Sequence, residues 1–209
     1  MGIRNAKVPK LTTNKIKSWN TKWDKLDDYK IQEEAINTLF KQYPKCNDIK
    51  STIIKCSVLN DFYSTNIFKV YPVAKHITKI NNVDDDLKNG ELSLVNKIAK
   101  VKLGKGNNKI TKHLYSFATK FCHHHNSNFP IYDYYVDEML RFFRNKYQNQ
   151  FKFKNDELKN YERFVEILKK FQEVFNLSNF SLKEIDRYLW LAGKRYMPRK
   201  YNKKNNKPR

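Results

Sequence analysis

Asp133 is the residue whose type and position are best suited to chemistry, because a helix is predicted to begin within a residue or two of it. Pro130 precedes it, and the fixed φ of proline is common at a helix start. The positive end of the helix dipole favours the ionised form of a carboxylate placed there. Aspartate is also a preferred N-cap, so a purely structural role is the alternative. The sequence thus predicts one fixed negative charge, with either role open.

Two amphipathic helices are predicted to hold Asp133 at their junction. The first opens with apolar residues at three- and four-residue steps, which give a buried face: Ile110, Leu114, Phe117, Ala118 and Phe121. A short polar loop closed by Phe129 and Pro130 follows. The second helix repeats the spacing with Val136, Met139, Leu140 and Phe143.

Further amphipathic segments predict an all-α fold for the chain. Only 5 residues are glycine, which argues against a turn-rich β protein and against a Gly-rich phosphate loop. Pro72 is expected to kink or divide a helix over 63–80. Ser181 and Glu184 form a capping box at the start of the last helix, and Gly193 is its predicted end. Other helices are predicted over 19–26, 31–43, 48–62, 91–103 and 156–175, with a glycine-containing turn at 103–108.

The formal net charge of +21 points to a polyanionic partner. A surface this basic repels itself, and nucleic acid is the commonest counterpart. Membrane binding through a basic amphipathic helix is the alternative. The chain has no apolar run of about 18 residues and no hydrophobic signal segment, so we expect no membrane partner and a cytoplasmic location.

Cysteine and histidine residues do not predict a metal site. Cys46, Cys56 and Cys122 are odd in number and widely spaced, as expected for reduced thiols. The three consecutive histidines 123–125 cannot all converge on one ion from a helix end. We expect them to form a polar or nucleic-acid-facing helix end, with packing as the alternative. No metal and no other cofactor is predicted.

The stretch from Ile110 to Val136 resembles the helix-hairpin-helix DNA glycosylase superfamily, and within it the archaeal and bacterial 8-oxoguanine-type members. In that superfamily a hairpin opens a helix containing an alanine, and an aspartate starts the next helix in a D-x-x-[IV] setting. The matching residues are the ITKHL segment, Ala118 and Asp133. The segment DRYLWLAGK at 186–194 is also similar to the last helix of such proteins, where a Leu-Trp pair and a Gly-Lys end recur.

The chain departs from the superfamily pattern in two places. The family's hairpin carries a G-x-G that grips a phosphate, whereas ITKHL has no glycine; either Lys112 and His113 make this grip, or the hairpin lies nearer Leu103. Bifunctional members place a Schiff-base lysine where this chain has Ser116. Lys112 and Lys120 are each predicted to lie one helical turn from Ser116, so all three are possible nucleophilic or assisting groups. Because the chain has no obvious lysine at this position, the resemblance implies a monofunctional enzyme. The chain also has no four-cysteine cluster, so we expect no iron–sulfur centre.

The resemblance implies hydrolysis of the N-glycosidic bond of a flipped-out damaged or modified base, with Asp133 as the catalytic carboxylate. A fixed carboxylate stabilises the positive charge that builds on the sugar and orients a water molecule. Flipping costs on the order of a few kcal/mol, which stacking on aromatic faces offsets. The candidate base-pocket residues are Tyr132, Tyr134, Tyr135 and Trp190, with a core position as the alternative for Trp190. The candidate DNA contacts are Lys109, Lys112, His113, Arg141, Arg144, Lys194 and Arg195.

We expect a two-lobed helical helix-hairpin-helix glycosylase-like fold with basic tails, acting as a monomer with duplex DNA across its cleft. Residues 1–29 would form an arm and a short helix packing on the C-terminal lobe, 30–120 a central lobe ending in the hairpin helix, 121–198 the C-terminal lobe, and 199–209 a basic disordered tail. The alternative is a non-catalytic basic nucleic-acid-binding helical module in which Asp133 is only a cap. The biological setting, repair or defence against modified viral DNA, stays open.

Overall fold

The computed structural model describes residues 8–103 and 110–199, and within these ranges the regular secondary structure is helical apart from one pair of short strands. The all-α prediction is confirmed. No helix in these ranges is long and apolar enough to cross a membrane. In chain order the elements are α1 Thr13–Asp24, α2 Asp27–Gln42, α3 Ile49–Tyr63, α4 Val70–Ile77, α5 Val83–Asn89, α6 Ser93–Ala99, β1 Lys100–Leu103, β2 Ile110–His113, α7 Tyr115–His125, α8 Tyr134–Lys146, a 3-10 turn Glu157–Lys159, α9 Tyr161–Val174 and α10 Leu182–Tyr196.

Helix α7 lies at the centre of the packing. Helices α2, α3, α5 and α6 all contact it directly. Its side chains from Phe117 to His124 are buried around the whole circumference, which is the pattern of a core helix and not of a surface helix. Polar side chains on α7 are therefore held inside the protein.

Helix α1 packs on α10, which brings the two ends of the described chain together. The Trp19 ring meets Tyr196 edge-on at 6.2 Å, and the Trp23 ring meets Trp190 edge-on at 5.8 Å. The Asn20 amide donates a hydrogen bond to the Glu184 carbonyl oxygen at 3.3 Å. These contacts fix one wall of the site described below.

Local capping signals place the helix starts correctly. The Asp48 carboxylate accepts a hydrogen bond from the Ser51 amide at 2.8 Å and caps α3. Ser181 and Glu184 make the predicted capping box at the start of α10. Both motifs act within four residues, so the sequence alone determines them.

The segments 100–103 and 110–113 form an antiparallel strand pair, so the predictions of a helix over 91–103 and of a helix starting at Ile110 are wrong at these ends. Lys100 pairs with His113 and Leu103 with Ile110. Ile110 is 55% exposed instead of buried. β-branched residues favour a pleated strand once a partner strand is present, and the pairing is a tertiary contact that helical spacing does not reveal. Residues 104–108 of the predicted glycine-containing turn lie outside the described residues, and so does Lys109.

The segment 63–80 is not one kinked helix. Ser64 adopts a left-handed conformation with φ 47°, which ends α3, and α4 begins at Val70. Pro72 lies in the first turn of α4, where the absence of an amide hydrogen leaves no helical bond unmade. The break therefore falls before the proline and not at it.

Gly193 does not end the last helix, because α10 continues to Tyr196. A Cβ atom at Gly193 would lie 2.7 Å from the Tyr135 Cβ and 2.8 Å from the Tyr135 carbonyl oxygen. Glycine is needed here for the close approach of α8 and α10. This contact brings the start of α8, and Asp133 with it, against α10.

Candidate functional site

A cavity of about 420 Å³ lies between α1, α2, the end of α3, α7, the start of α8 and α10. Its wall carries one lysine of the buried helix, two aspartates and a group of aromatic rings. The residues that carry the chemistry discussed below are Trp23, Tyr29, Glu33, Ser116, Lys120, Asp133, Tyr135, Lys183, Asp186, Arg187, Trp190 and Arg199.

Asp133 combines both of its predicted positions, since it caps α8 and also lines the cavity. Its Oδ1 accepts a hydrogen bond from the Val136 amide at 2.9 Å. Among the described residues, Oδ2 has no hydrogen-bonding partner. One carboxylate oxygen is thus used by the helix, and the other remains for a ligand.

Lys120 is the amine of the cavity. It is only 4% exposed, and its Nζ lies 2.6 Å from the Ser116 hydroxyl and 5.1 Å from the centre of the Tyr63 ring. Burial lowers the pKa of Lys120, although the charge of Asp133 and then that of Asp186 act in the opposite direction. The prediction that Lys120 lies one turn from Ser116 on the same face is confirmed by this contact. A larger fraction of this amine is neutral, and so nucleophilic, than of an exposed lysine.

Lys112 does not share that face, because it lies on β2 and not on α7. Its Nζ lies 5.6 Å from the centre of the Phe68 ring, and it is not part of the cavity wall. The prediction of Lys112 one helical turn from Ser116 is therefore wrong, since the helix starts only at Tyr115.

Asp186 is the residue that sequence reasoning missed as a site residue. It lines the cavity from α10, and its Oδ1 is buried without a hydrogen-bonding partner. Burial, and then the negative charge of Asp133, raises the pKa of Asp186 well above its usual range. Its position four residues before Trp190 places both on one face of α10, and that spacing was the available signal.

Aromatic rings form the side of the cavity toward α1 and α2. Trp190 meets Tyr29 edge-on at 5.2 Å, Trp23 at 5.8 Å and Tyr135 at 6.4 Å. The Trp23 indole N–H is buried without a partner in the described chain. The cavity therefore offers flat apolar faces beside charged side chains, which suits a planar polar ligand.

Two of the four residues predicted to line a base pocket lie in the cavity wall, and two do not. Trp190 and Tyr135 line the cavity. Tyr132 lies in the core, where its hydroxyl donates to Asp137 and accepts from Lys159. Tyr134 is outside the cavity wall, with the Arg199 guanidinium 4.6 Å above its ring.

The cationic side chains predicted to contact DNA lie at separate places. His113 is on β2, stacked 5.6 Å from Tyr115. Arg141 is engaged by Asp137, and Arg144 donates to Asn155 at 2.6 Å. Lys194 donates to the Tyr29 hydroxyl beside the cavity, and Arg195 is exposed on the last turn of α10.

Charged side chains at the cavity edge partly compensate one another. Lys183 pairs with Glu33 at 2.6 Å, and Arg187 approaches the same carboxylate at 3.6 Å. Burial raises the pKa of Glu33, but the hydrogen bond and charge of Lys183 outweigh it, so the pKa is lowered overall. Arg199 adds a further cation at the rim.

The three histidines at the end of α7 have separate partners. His123 Nδ1 donates to the Phe129 carbonyl oxygen at 2.8 Å, and His124 contacts Asn37 and Tyr63. His125 Nε2 lies 3.3 Å from the Lys55 amine. No group of three His, Cys, Asp or Glu side chains within 8–103 and 110–199 could hold a metal ion.

The fold and cavity define a helical protein with a buried amine and three carboxyl groups, those of Glu33, Asp133 and Asp186, around one ligand-sized space. Residues 15–129 match the model of the HI_0787 N-terminal domain family. A protein of Haemophilus influenzae described as an uncharacterized protein is 44% identical over 155 residues, covering 74% of this chain and 72% of its own length. The chain belongs to the HI_0787 N-terminal domain family. No solved structure matches it significantly.

The matched family region begins within α1 and extends past the end of α7; it includes Lys120 but ends before Asp133. The cavity is therefore built from the family region together with α8 and α10. Neither segment alone encloses the site.

Proposed function

We propose that this protein is a monomeric, cytoplasmic DNA glycosylase that cleaves the N-glycosidic bond of a flipped-out damaged or modified base. The observation that carries the proposal is the meeting of Asp133, Lys120 and aromatic rings in one cavity. The resemblance to helix-hairpin-helix glycosylases around Asp133 agrees with this arrangement, and the net charge of +21 suits a polyanion.

In the hydrolytic reaction, water adds to C1′ of the sugar while the bond from C1′ to the base nitrogen breaks. The base leaves with the bonding electrons and takes up a proton, and an abasic sugar remains. Asp133 stabilises the positive charge on the sugar and accepts the proton of the water. Trp190, Tyr29 and Trp23 supply faces on which the flipped base stacks.

The position of Lys120 favours a second reaction at the same site. Its neutral amine attacks C1′ as the bond to the base breaks, and the base takes up the proton that the amine loses. Opening of the sugar ring then gives an imine, which borohydride reduces to a stable amine. The buried Nζ beside Ser116 supports this route, which would make the enzyme bifunctional.

The test is to incubate the protein with single-stranded and duplex oligonucleotides that carry a panel of damaged and modified bases. Wild type should release at least one free base, and Asp133→Asn should not. Borohydride added during turnover should cross-link wild type, but not Lys120→Arg, if the amine route operates. Release of base without any cross-link identifies the hydrolytic route.

The alternative is a nucleic-acid-binding module in which Asp133 acts only as the α8 cap. Such a protein would release no base from any oligonucleotide of the panel. Its binding would fall steeply with salt and show no preference for a modified base. Equal base release by wild type and Asp133→Asn would likewise remove Asp133 from the chemistry.

A further inference from the structure

The outer edge of strand β2 carries backbone groups that β1 does not use. The Leu114 N–H donates to the Ala99 carbonyl oxygen at 2.8 Å, and the two strands continue in register from that pair. In an antiparallel ladder, pairs that exchange hydrogen bonds alternate with pairs whose N–H and C=O groups point away from the partner strand. Counting from that first hydrogen-bonded pair, Thr111 and His113 direct their N–H and C=O groups away from β1.

This edge is open among the residues that the structure describes. All four residues of β2 are exposed. Strand β1 also packs on α4 and α6, whereas the principal neighbour of β2 among the described elements is β1. A strand edge with its hydrogen-bonding groups in solvent is a template for an added strand. Strand β2 can therefore accept an extended segment at Thr111 and His113.

Exposed apolar side chains lie beside this edge. Ile110 and Lys112 share one face of β2, because side chains two residues apart on a strand point the same way. The Lys112 Nζ lies 5.6 Å from the centre of the Phe68 ring, and Phe68 is 89% exposed. A segment bound along β2 places every second side chain on this face, where it removes apolar surface of Ile110 and Phe68 from water.

Lysines, and no carboxylates, flank the edge. The sequence from 100 to 113 contains five lysines and neither aspartate nor glutamate. Lys100 and Lys102 of β1 stand opposite the two edge residues of β2, so they lie on the face of the strand pair away from Ile110. A second copy of this chain would bring the same lysines to the edge, and their repulsion opposes such pairing. An acidic segment is attracted instead.

The geometry favours a peptide over a nucleic-acid backbone. The strand edge alternates donors and acceptors, which a peptide matches, whereas phosphate groups offer acceptors. Lys112 and His113 are consecutive residues of a strand, so their side chains point to opposite faces and do not converge on one phosphate. His113 instead stacks on Tyr115, with the ring centres 5.6 Å apart.

We propose that the open edge of β2 binds an extended acidic segment of a partner protein as an added strand. The backbone of the segment pairs with Thr111 and His113. Its apolar side chains cover Ile110 and Phe68, and the alternate, acidic side chains meet the β1 lysines on the other face. None of these residues lines the cavity. The surface is separate from the candidate site, and the inference does not depend on the proposed function.

The test is fluorescence anisotropy of a labelled peptide of five valine–glutamate repeats, titrated with the full chain at fixed ionic strength. A peptide of five valine–lysine repeats and a single-stranded oligothymidine are the comparison probes. Wild type should bind the valine–glutamate peptide and not the valine–lysine peptide. Thr111→Pro removes an edge N–H that β1 does not use, so it should bind about tenfold more weakly. Thr111→Val keeps that N–H and should bind within about twofold of wild type.

Charge reversal on β1 gives a second readout. The double variant Lys100→Glu/Lys102→Glu should bind the valine–glutamate peptide about tenfold more weakly than wild type. Lys41→Glu/Lys169→Glu reverses two exposed lysines on α2 and α9 and makes the same change in net charge. This matched control should bind the peptide within about twofold of wild type.

The proposal is overturned if wild type does not bind the valine–glutamate peptide, if Thr111→Pro binds it as tightly as Thr111→Val, or if the control pair loses as much affinity as the β1 pair. Loss of oligothymidine binding in the β1 pair with unchanged peptide binding would identify a nucleic-acid surface and would also overturn it. If circular dichroism shows that Thr111→Pro does not fold, the β1 pair decides alone. The readout requires no base release, so failure of the glycosylase proposal leaves it intact.

Discussion

The amine of Lys120 lies 2.6 Å from the hydroxyl oxygen of Ser116, one turn earlier on α7, and both side chains line the cavity that contains Asp133. The resemblance to helix-hairpin-helix glycosylases predicts that Ser116 takes the position of the lysine of bifunctional members. In the structure the Lys120 amine, from the next turn of α7, lines the same cavity as Ser116. The site therefore has a candidate nucleophile that alignment by position alone does not supply.

Removing the Ser116 hydroxyl should destabilise the protein through Lys120. Ser116→Ala takes away the short hydrogen bond of a buried amine, so we expect the free energy of unfolding to fall by roughly 1–3 kcal/mol at neutral pH. Ser116→Thr keeps a hydroxyl and is the matched control. Urea unfolding measures both, and equal stability of Ser116→Ala and wild type would mean that this contact contributes nothing.

Gly193→Ala should lower stability despite the better helix propensity of alanine. The new Cβ would lie 2.7 Å from the Tyr135 Cβ, so α8 and α10 must separate. We expect a loss of about 1–3 kcal/mol in the free energy of unfolding. In an uncrowded helix interior the same change would stabilise by up to about 1 kcal/mol. The sign of the measured change therefore tests the close approach directly.

The free energy of unfolding should fall as the pH drops below about 6.5, the ordinary pKa of histidine. Burial lowers the pKa of His124 and of His125 to about 3, and it also lowers that of His123. The unfolded chain thus binds protons that the folded chain does not. Asp186, whose pKa is raised, takes up a proton in the folded state and offsets only one of these groups.

Urea titrations at pH 7.5, 6 and 5 measure this dependence, with a slope of up to about 1.4 kcal/mol per pH unit for each histidine. His124→Gln should reduce the slope relative to wild type. Stability that stays constant or rises between pH 7.5 and 5 would contradict the neutral, buried state of these rings.

Asp186→Asn should stabilise the protein relative to wild type more at pH 9 than at pH 6. A group with a raised pKa loses its favourable contribution as the pH rises through that value, because the buried carboxyl must ionise. Asparagine keeps the shape and cannot ionise. A difference in unfolding free energy that is the same at both pH values would show that Asp186 does not titrate between them.

Local motifs were predictable from the sequence, and pairings between distant segments were not. The caps at Asp48, Asp133 and Ser181 bind amides two or three residues away, so residue type and spacing determine them. The pairing of Val101 with Lys112 joins segments eleven positions apart. Each strand has only four residues, which is too short for its alternation to be distinguished from helical spacing.

The candidate site was predictable only where it coincided with a helix start. Asp133 stands out because it opens α8. Asp186 reads from the sequence as one polar residue on the outer face of an amphipathic helix, and only the packing of α1 and α8 against α10 encloses it. Tyr132 reads as a pocket residue, yet its hydroxyl has a partner in the core at Asp137. Burial depends on which helices meet, and periodicity does not specify that.

The most direct measurement is the single-turnover rate of base release for Asp133→Asn and Asp48→Asn on the oligonucleotide that wild type cleaves fastest. Both changes remove one negative charge from a helix N-cap, and asparagine caps a helix as well as aspartate does. Only Asp133 lines the cavity. We predict that Asp133→Asn slows release by at least about 100-fold with unchanged folding, while Asp48→Asn reacts as wild type. Equal rates for the two variants, or no base release by wild type from any oligonucleotide, would contradict the account.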